Sequence, residues 1–322
     1  DFYYKKTTDL FTNVDVSPIN GITSYIMNNG DMLNKGFSIS LNGYPVKTKN
    51  FRWYMSTYYS VNLNKVQTDD ARNYNLNDYL NGTAVVSGQP ISTFYSYKFL
   101  GLNPQNGAPM FDDWEDRWHL LQGKTLDEVV PMILVNSGTR DPKFSGDLNN
   151  TFTYKNWSLS LNFSYSLGSK VRLFEMYGPI INGISAAANV REEFLDRWQV
   201  PGDEKYTVYP LIISPSSPDY EHYRLHYSAP QRAVGPNSGV PAFANNVWQM
   251  YDDSDLRVVS GNYLKLQSLS FSYRLNDRLL RKTPFTQLSI SFNTHNCFTI
   301  SAKELRGQDP SQAGFADAGL SI

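Results

Sequence analysis

Hydrophobic and polar residues alternate strictly over residues 157–167. Trp157, Leu159, Leu161, Phe163, Tyr165 and Leu167 are apolar or aromatic, and Ser158, Ser160, Asn162, Ser164 and Ser166 lie between them. This is the period of a strand with two different faces. Phe152 and Tyr154 alternate with Thr151 and Thr153 in the opposite phase, and the phase changes at Lys155-Asn156, which suits a tight hairpin. Tyr154 and Trp157 then share one face, so the pattern continues across the turn. A soluble strand sets its apolar face on a core and exposes Lys, Glu and Thr. Here the polar face is small and uncharged, and the apolar face carries Trp and Tyr. A barrel strand crossing a membrane needs ~9–11 residues. It shows apolar side chains to lipid, polar ones to a wet lumen, and aromatics at the interfaces. The stretch fits a membrane barrel better than a soluble sandwich.

Similar runs recur. Residues 34–44 alternate, and 51–64 form the longest such run, with Tyr54 and Tyr58 on its polar side. Residues 1–12, 93–103, 110–111, 259–275 and 286–299 complete a set of about nine predicted strands. Short turns are expected near 45–50, 104–107, 155–156 and 276–285. Long connections are expected at 13–32, 67–92, 114–143 and 171–258. Sorting loops by length onto two sides marks an outer-membrane barrel. One run breaks phase: Leu264 and Leu266 are on even positions, Leu269, Phe271, Tyr273 and Leu275 on odd ones. A β-bulge at Gln267-Ser268 would absorb the slip. The alternative sets Leu264 and Leu266 above the membrane, under a loop.

Composition narrows the classes. The chain has 322 residues and a formal net charge of −1, which gives no electrostatic case for nucleic acid. Aromatics make up 14%, enough for an interfacial girdle. Cys297 is the single cysteine, so neither an intrachain disulfide nor a cysteine zinc cluster is available. No apolar run approaches the ~18 residues of a membrane helix, so spanning falls to strands. The chain opens within a strand-like run, DFYYKKTTDLF, without a signal peptide, which reads as a fragment or a processed C-terminal piece.

Candidate chemistry is sparse. His222 and His226 have i, i+4 spacing, but there is no HExxH and their surroundings are Pro-rich loop. Asp252, Asp253 and Asp255 offer oxygen to calcium but lack EF-hand spacing, so a solvated acidic loop is the stronger reading, and no cofactor is expected. DDWEDRW (112–118) has the same weakness. No glycosidase carboxylate pair, phosphate loop or nucleophile elbow is present, so an enzyme is not expected. The long connections do carry aromatics: Trp114, Trp118, Trp198, Tyr206, Tyr220, Tyr223, Trp248 and Tyr251. Exposed aromatics stack on sugar rings or seat a partner. For any one of them, packing of the loops against each other is the commoner role. On the barrel reading, Trp157, Leu159, Leu161, Phe163 and Tyr165 face lipid, and Tyr54, Tyr58, Ser160, Asn162 and Ser164 face the lumen.

Several spaced motifs resemble the SusC/RagA family of TonB-dependent outer-membrane transporters. They are NNGDMLNKGFSISL (28–41), with Ser38 in place of the usual acidic residue; GTRDPKFSGDLNNTFTYKNWSLSLNFSYSLGSKV (138–171), with Asp147 in place of a Gly; RWQVPGDE (197–204); SGNYLKLQSLSFSY (260–273); and NCFTIS (296–301). The resemblance runs over essentially the whole chain. It implies an all-β, antiparallel transmembrane barrel with long extracellular loops and short periplasmic turns. Residues 1–322 would be the C-terminal ~9 strands of a 22-stranded, plugged barrel, strands 13 to 21, without the plug, the TonB-contacting segment or the closing strand. It further implies import of oligosaccharides or peptides in the outer membrane of a Gram-negative bacterium, with TonB and a SusD-like surface lipoprotein as partners. That lipoprotein would dock on 171–258 and 114–143. A structural or adhesive surface barrel and a soluble glycan-binding β-protein are the alternatives.

Overall fold

The alternating runs pair with one another. In a computed structural model, residues 1–15, 24–67, 74–112, 117–121, 123–124, 126–178, 190–212, 247–281 and 283–312 are described. The strands are β1 (Phe2–Asp15), β2 (Ser24–Lys47), β3 (Phe51–Val66), β4 (Thr93–Tyr97), β5 (Phe99–Leu102), β6 (Pro109–Phe111), β7 (Leu134–Thr139), β8 (Phe144–Tyr154), β9 (Trp157–Leu167), β10 (Lys170–Arg172), β11 (Val258–Ser260), β12 (Tyr263–Arg274) and β13 (Ser289–Ser301). Three short helices matter below: α1 (Leu76–Leu80), α2 (Leu126–Ile133) and α3 (Val247–Asp252).

Seven strands form one antiparallel sheet in the order β1-β2-β3-β8-β9-β12-β13, the arrangement of a length of barrel wall. The expected count of nine is corrected to seven among the described residues. The runs at 93–103 and 110–111 are not wall strands: β4 pairs with β7, and β5 with β6, in small sheets of their own. β4 is buried along its whole length, and β5 and β6 have four and three residues, too short to cross a bilayer. The loop parity holds for the middle of the wall, because 104–107 lies inside one long excursion, 67–143, between β3 and β8. The expected long connection 13–32 is corrected to 16–23, shorter than the β12–β13 connection at 275–288. β9 and β12 are joined by the other, 168–262. The β2–β3 and β8–β9 connections are 48–50 and 155–156.

The register sorts side chains onto two faces, since directly paired residues share a face. One row runs Trp53, Phe152, Leu159, Phe271, Phe292 across β3, β8, β9, β12 and β13. The row beside it on the other face runs Tyr54, Thr151, Ser160, Ser270, Asn293. The polar face is mostly Ser, Thr, Asn and Tyr with scattered charges, among them Lys5, Lys47, Arg52, Asp147, Lys265 and Arg274. The apolar face carries Lys35 and Lys65 toward the loop end and, among its aromatics, Asn150, whose Oδ1 accepts from Trp53 Nε1 at 3.0 Å. That bond satisfies an amide which would otherwise be costly on an apolar surface. Gly146 faces Tyr165, and a Cβ there would run into the Tyr165 ring and the Tyr58 carbonyl. β2 outlasts its neighbour: Val66, the last residue of β3, pairs with Met32, so 24–31 pairs with β1 alone.

The slip in the fourth motif is resolved by a bulge. Leu266 pairs with Phe163 and Ser268 with Asn162, which leaves Gln267 as an extra residue on β12. Gln267 turns to the polar face, where its Nε2 donates to Ser164 Oγ at 2.8 Å. Leu266 thereby joins the apolar row with Phe163 and Phe298. β13 carries its own extra residue, with Asn296 at φ 53. The left-handed region tolerates Asn better than most side chains.

Deleting Gln267 from the whole protein should remove the bulge, leave Leu264 and Leu266 in phase with Leu269 and Phe271 on the apolar face, and retain the heat-modifiable folded band on detergent gels. Loss of that band would count against the bulge. Gln267→Ala keeps the residue count and should retain that band.

Candidate functional site

The two long excursions fold together at one end of the sheet, and the chain's main hydrophobic core lies there. Helix α1 starts with a capping box: Asn75 Oδ1 accepts from Asp78 N, and Asp78 Oδ2 accepts from Asn75 N. It buries Leu76, Tyr79 and Leu80. Helix α2 adds Val129, Val130 and Ile133, and α3 adds Val247, Trp248, Met250 and Tyr251. Tyr251 sits edge-on to Phe99 of the first excursion at 5.7 Å and to Tyr177 of the second at 5.4 Å.

Buried charges tie this core together. Asp252 ends α3 and is 3% exposed. Its Oδ1 accepts from Met176 N at 2.8 Å, and its Oδ2 from Tyr177 N and Gly178 N at 2.8 and 2.9 Å. Burial pushes its carboxyl up to about 6, against the pull of Arg257 and the three amides. Arg257 is itself buried, donates to Phe174 O at 2.6 Å and lies over the Tyr251 ring. Arg172, leaving β10, reaches across to the first excursion. Its Nη2 donates to Leu80 O, Tyr95 O and Ser96 Oγ at 2.9–3.1 Å, and its Nη1 lies 3.9 Å from Asp253. Asp255 accepts from Lys98 Nζ at 2.7 Å and Phe99 N at 3.0 Å.

The sequence-predicted residues divide sharply. Trp198, Trp248 and Tyr251 are not exposed stacking surfaces but interior residues of the loop core, a correction to the expectation above. Trp198 packs on Gly107, whose φ of +66 and lack of a Cβ admit the indole, and its Nε1 donates to Glu204. Trp248 Nε1 donates to Leu211 O. Tyr206 is 90% exposed. Trp114, Tyr220, Tyr223, His222 and His226 lie outside the described residues, as does the Trp118 side chain. The acidic run is corrected too: Asp252 is no solvated loop residue, and the oxygens of Asp252 and Asp255 face N–H and ammonium donors, an arrangement unlike a calcium site. The Arg172 and Arg257 roles had no sequence signal, because the backbone groups they bond lie far along the chain.

At the polar face, Tyr54 shares a face with Thr151 and Ser160, and Tyr58 with Asp147 and Ser164. Asn162 and Ser164 flank the bulge. Thr151 and Ser160 hydroxyls are 3.1 Å apart. Trp157, Leu159, Leu161, Phe163 and Tyr165 are together on the opposite face. Trp157 stacks on Phe271 and Tyr273 at 5.2 and 4.2 Å. Near the loops, two segments turn in over the polar face: Ile91 N donates to Asn64 Oδ1, and Lys265 Nζ meets Asp309.

Arg172→Met should strand the Leu80 and Tyr95 carbonyls and leave Asp253 without its cation, at a cost of ~3–5 kcal/mol to the loop core. Hydrogen exchange should quicken at 74–97 and 247–257 and stay unchanged in β8 and β9.

No family model matches the chain. It is 24% identical over 325 residues to "TonB-dependent receptor P3" of Formosa agariphila, covering 96% of this chain and 28% of that receptor. It is 27% identical over 212 residues to "TonB-dependent receptor P26" of the same organism, covering 62% and 21%. Among solved structures, the RagAB peptide transporter matches with a TM-score of 0.66 at 19% identity, covering 97% of this chain and 30% of that one. The RagAB peptide importer in its open-open state matches with 0.65 at 20% identity. The chain thus spans less than a third of the length of these relatives. It is similar over nearly its whole length to TonB-dependent receptors, and its seven-stranded wall and paired loop excursions have the fold of a length of outer-membrane β-barrel.

Proposed function

We propose that the protein containing this chain imports oligosaccharides or peptides across the outer membrane, drawing energy through TonB, with a SusD-like lipoprotein over the mouth. This chain supplies wall and mouth. The observation that carries the reading is the division of the sheet into two faces. The face built on Trp53, Phe152, Leu159, Phe271 and Phe292 suits lipid, and the Ser, Thr, Asn and Tyr face suits a wet passage for a polar solute. Hydroxyl and amide groups exchange hydrogen bonds with a passing solute without holding it by charge. The similar structure, RagAB, is a peptide transporter, which favours peptides. The similar proteins are named as receptors and transporters, and we read this chain as non-enzymatic.

The loop core belongs to this reading as a rigid platform. Residues buried at Trp198, Trp248 and Tyr251 stiffen it, leaving Tyr206 and the stretch 213–246, outside the described residues, to meet solute or lipoprotein. Tyr220 and Tyr223 fall in that stretch.

Two measurements test the proposal. A charge at mid-membrane on a lipid-facing position costs ~2–4 kcal/mol. Leu161→Arg should therefore lower the yield of folded protein in bilayers by an order of magnitude or more relative to Asn162→Arg, and equal yields would count against the facing. Uptake of labelled peptide and oligosaccharide pools should fall to background in a strain deleted for the whole gene and return on complementation. Unchanged uptake of both pools would favour an adhesive or structural barrel.

A further inference from the structure

The segment after β13 turns back across the end of the sheet. Leu305 is 1% exposed and packs with Val171 and Leu173. Arg306, at φ 44, lies 3.6 Å from Asp196. Gln308 is 8% exposed, and its side-chain amide takes both bonds of an extended backbone: its Oε1 accepts from Phe174 N at 3.0 Å, and its Nε2 donates to Arg172 O at 3.1 Å. The next residue, Asp309, accepts from Lys265 Nζ at 3.1 Å. Lys265 pairs with Ser164 and Thr299, so it stands on the polar face, yet it is only 9% exposed.

These contacts have a direction. Leu305, Arg306 and Gln308 bind the second excursion, while Asp309 binds the wall. A lysine on a face lined with small hydroxyls has no need of a covering segment for its own solvation. Covering it removes water from an ammonium group, which is unfavourable unless the partner carboxylate is held in place. The carboxylate is held: Asp309 Oδ1 accepts from Ser311 N and Oγ at 2.8 and 2.6 Å. The pair is a polar contact between the wall and a segment that Leu305 seats on the second excursion.

We propose that residues 302–312 form a strap that narrows the passage at its loop end, and that the Lys265–Asp309 pair is the contact which parts to let solute by. The strap is continuous with the loop core through Gln308 and Arg172, whose side chain grips the first excursion. The segment thus links the loop core to the rim of the wall, beside the contacts that the first excursion makes with Asn64 and Val66. This proposal rests on the import reading, since only that reading makes the polar face a passage.

The test uses the whole receptor in cells, on a Cys297→Ser background carrying Lys265→Cys and Asp309→Cys. A short bifunctional methanethiosulfonate bridges the two thiols, and the bridged peptide is measured by mass spectrometry. Bridging should be near complete and should cut uptake of the labelled peptide or oligosaccharide pool at least tenfold, with recovery on adding reductant. The charge-swapped pair, Lys265→Asp with Asp309→Lys, should import within about twofold of the parent. Failure to bridge would show that the strap is not seated on the wall. Complete bridging with unchanged uptake would show that it need not open. Either result overturns the proposal. A parent receptor that imports neither pool would instead refute the transport reading, and with it the passage that the strap is proposed to narrow.

Discussion

In a bilayer, backbone amides have no water to bond, so a spanning sheet must pair each strand with its neighbours. Everything else in this chain follows from that constraint. Continuous pairing from β1 to β13 fixes the register, and register fixes which side chains share a face. A single unabsorbed slip in β12 would put leucines among the serines and expose polar groups on the opposite side. The extra residue at Gln267 takes up the mismatch, and Gln267 finds a partner on Ser164. The apolar face can then tolerate Asn150 because Trp53 supplies a donor.

The wall has no hydrophobic core between layers. The core lies in the two long excursions, and it is stabilised in a different way. Aromatic and aliphatic burial around Tyr251 and Trp248 supplies the drive, while Asp252, Arg257 and Arg172 set how the pieces fit. Each of these charges bonds backbone groups of a segment distant in sequence. Asp252 fixes 176–178, and Arg172 fixes Leu80 and Tyr95. Buried charged groups are costly to bury, but removing one of a pair costs more, so such contacts favour one arrangement over its competitors. A rigid assembly at the rim is what a mouth needs if it is to hold a shape.

Hydrogen bonds and an ion pair join these two regions. Val66 exchanges backbone bonds with Gly88 and Gln89, Asn64 accepts from Ile91 N, and Asp309 meets Lys265. These contacts hold loops and wall in register.

The wall was legible in the sequence because its signal is local. Period-2 alternation needs only a few neighbouring residues, and lipid on one side with water on the other forces it on each strand separately. Even the bulge showed, since a phase break between Leu266 and Leu269 has few other causes. The strand count was overestimated where TFYSY looked like a wall strand. Nothing local distinguishes a strand buried on both faces in a loop core from one in a membrane. The loop aromatics failed for the same reason. Trp198, Trp248 and Tyr251 become interior only when segments far apart in the chain meet, and Gly107 makes room for one of them. The roles of Asp252, Arg172 and Arg257 were decided entirely by tertiary structure, because a charge buried against distant backbone amides and carbonyls carries no pattern in its own neighbourhood.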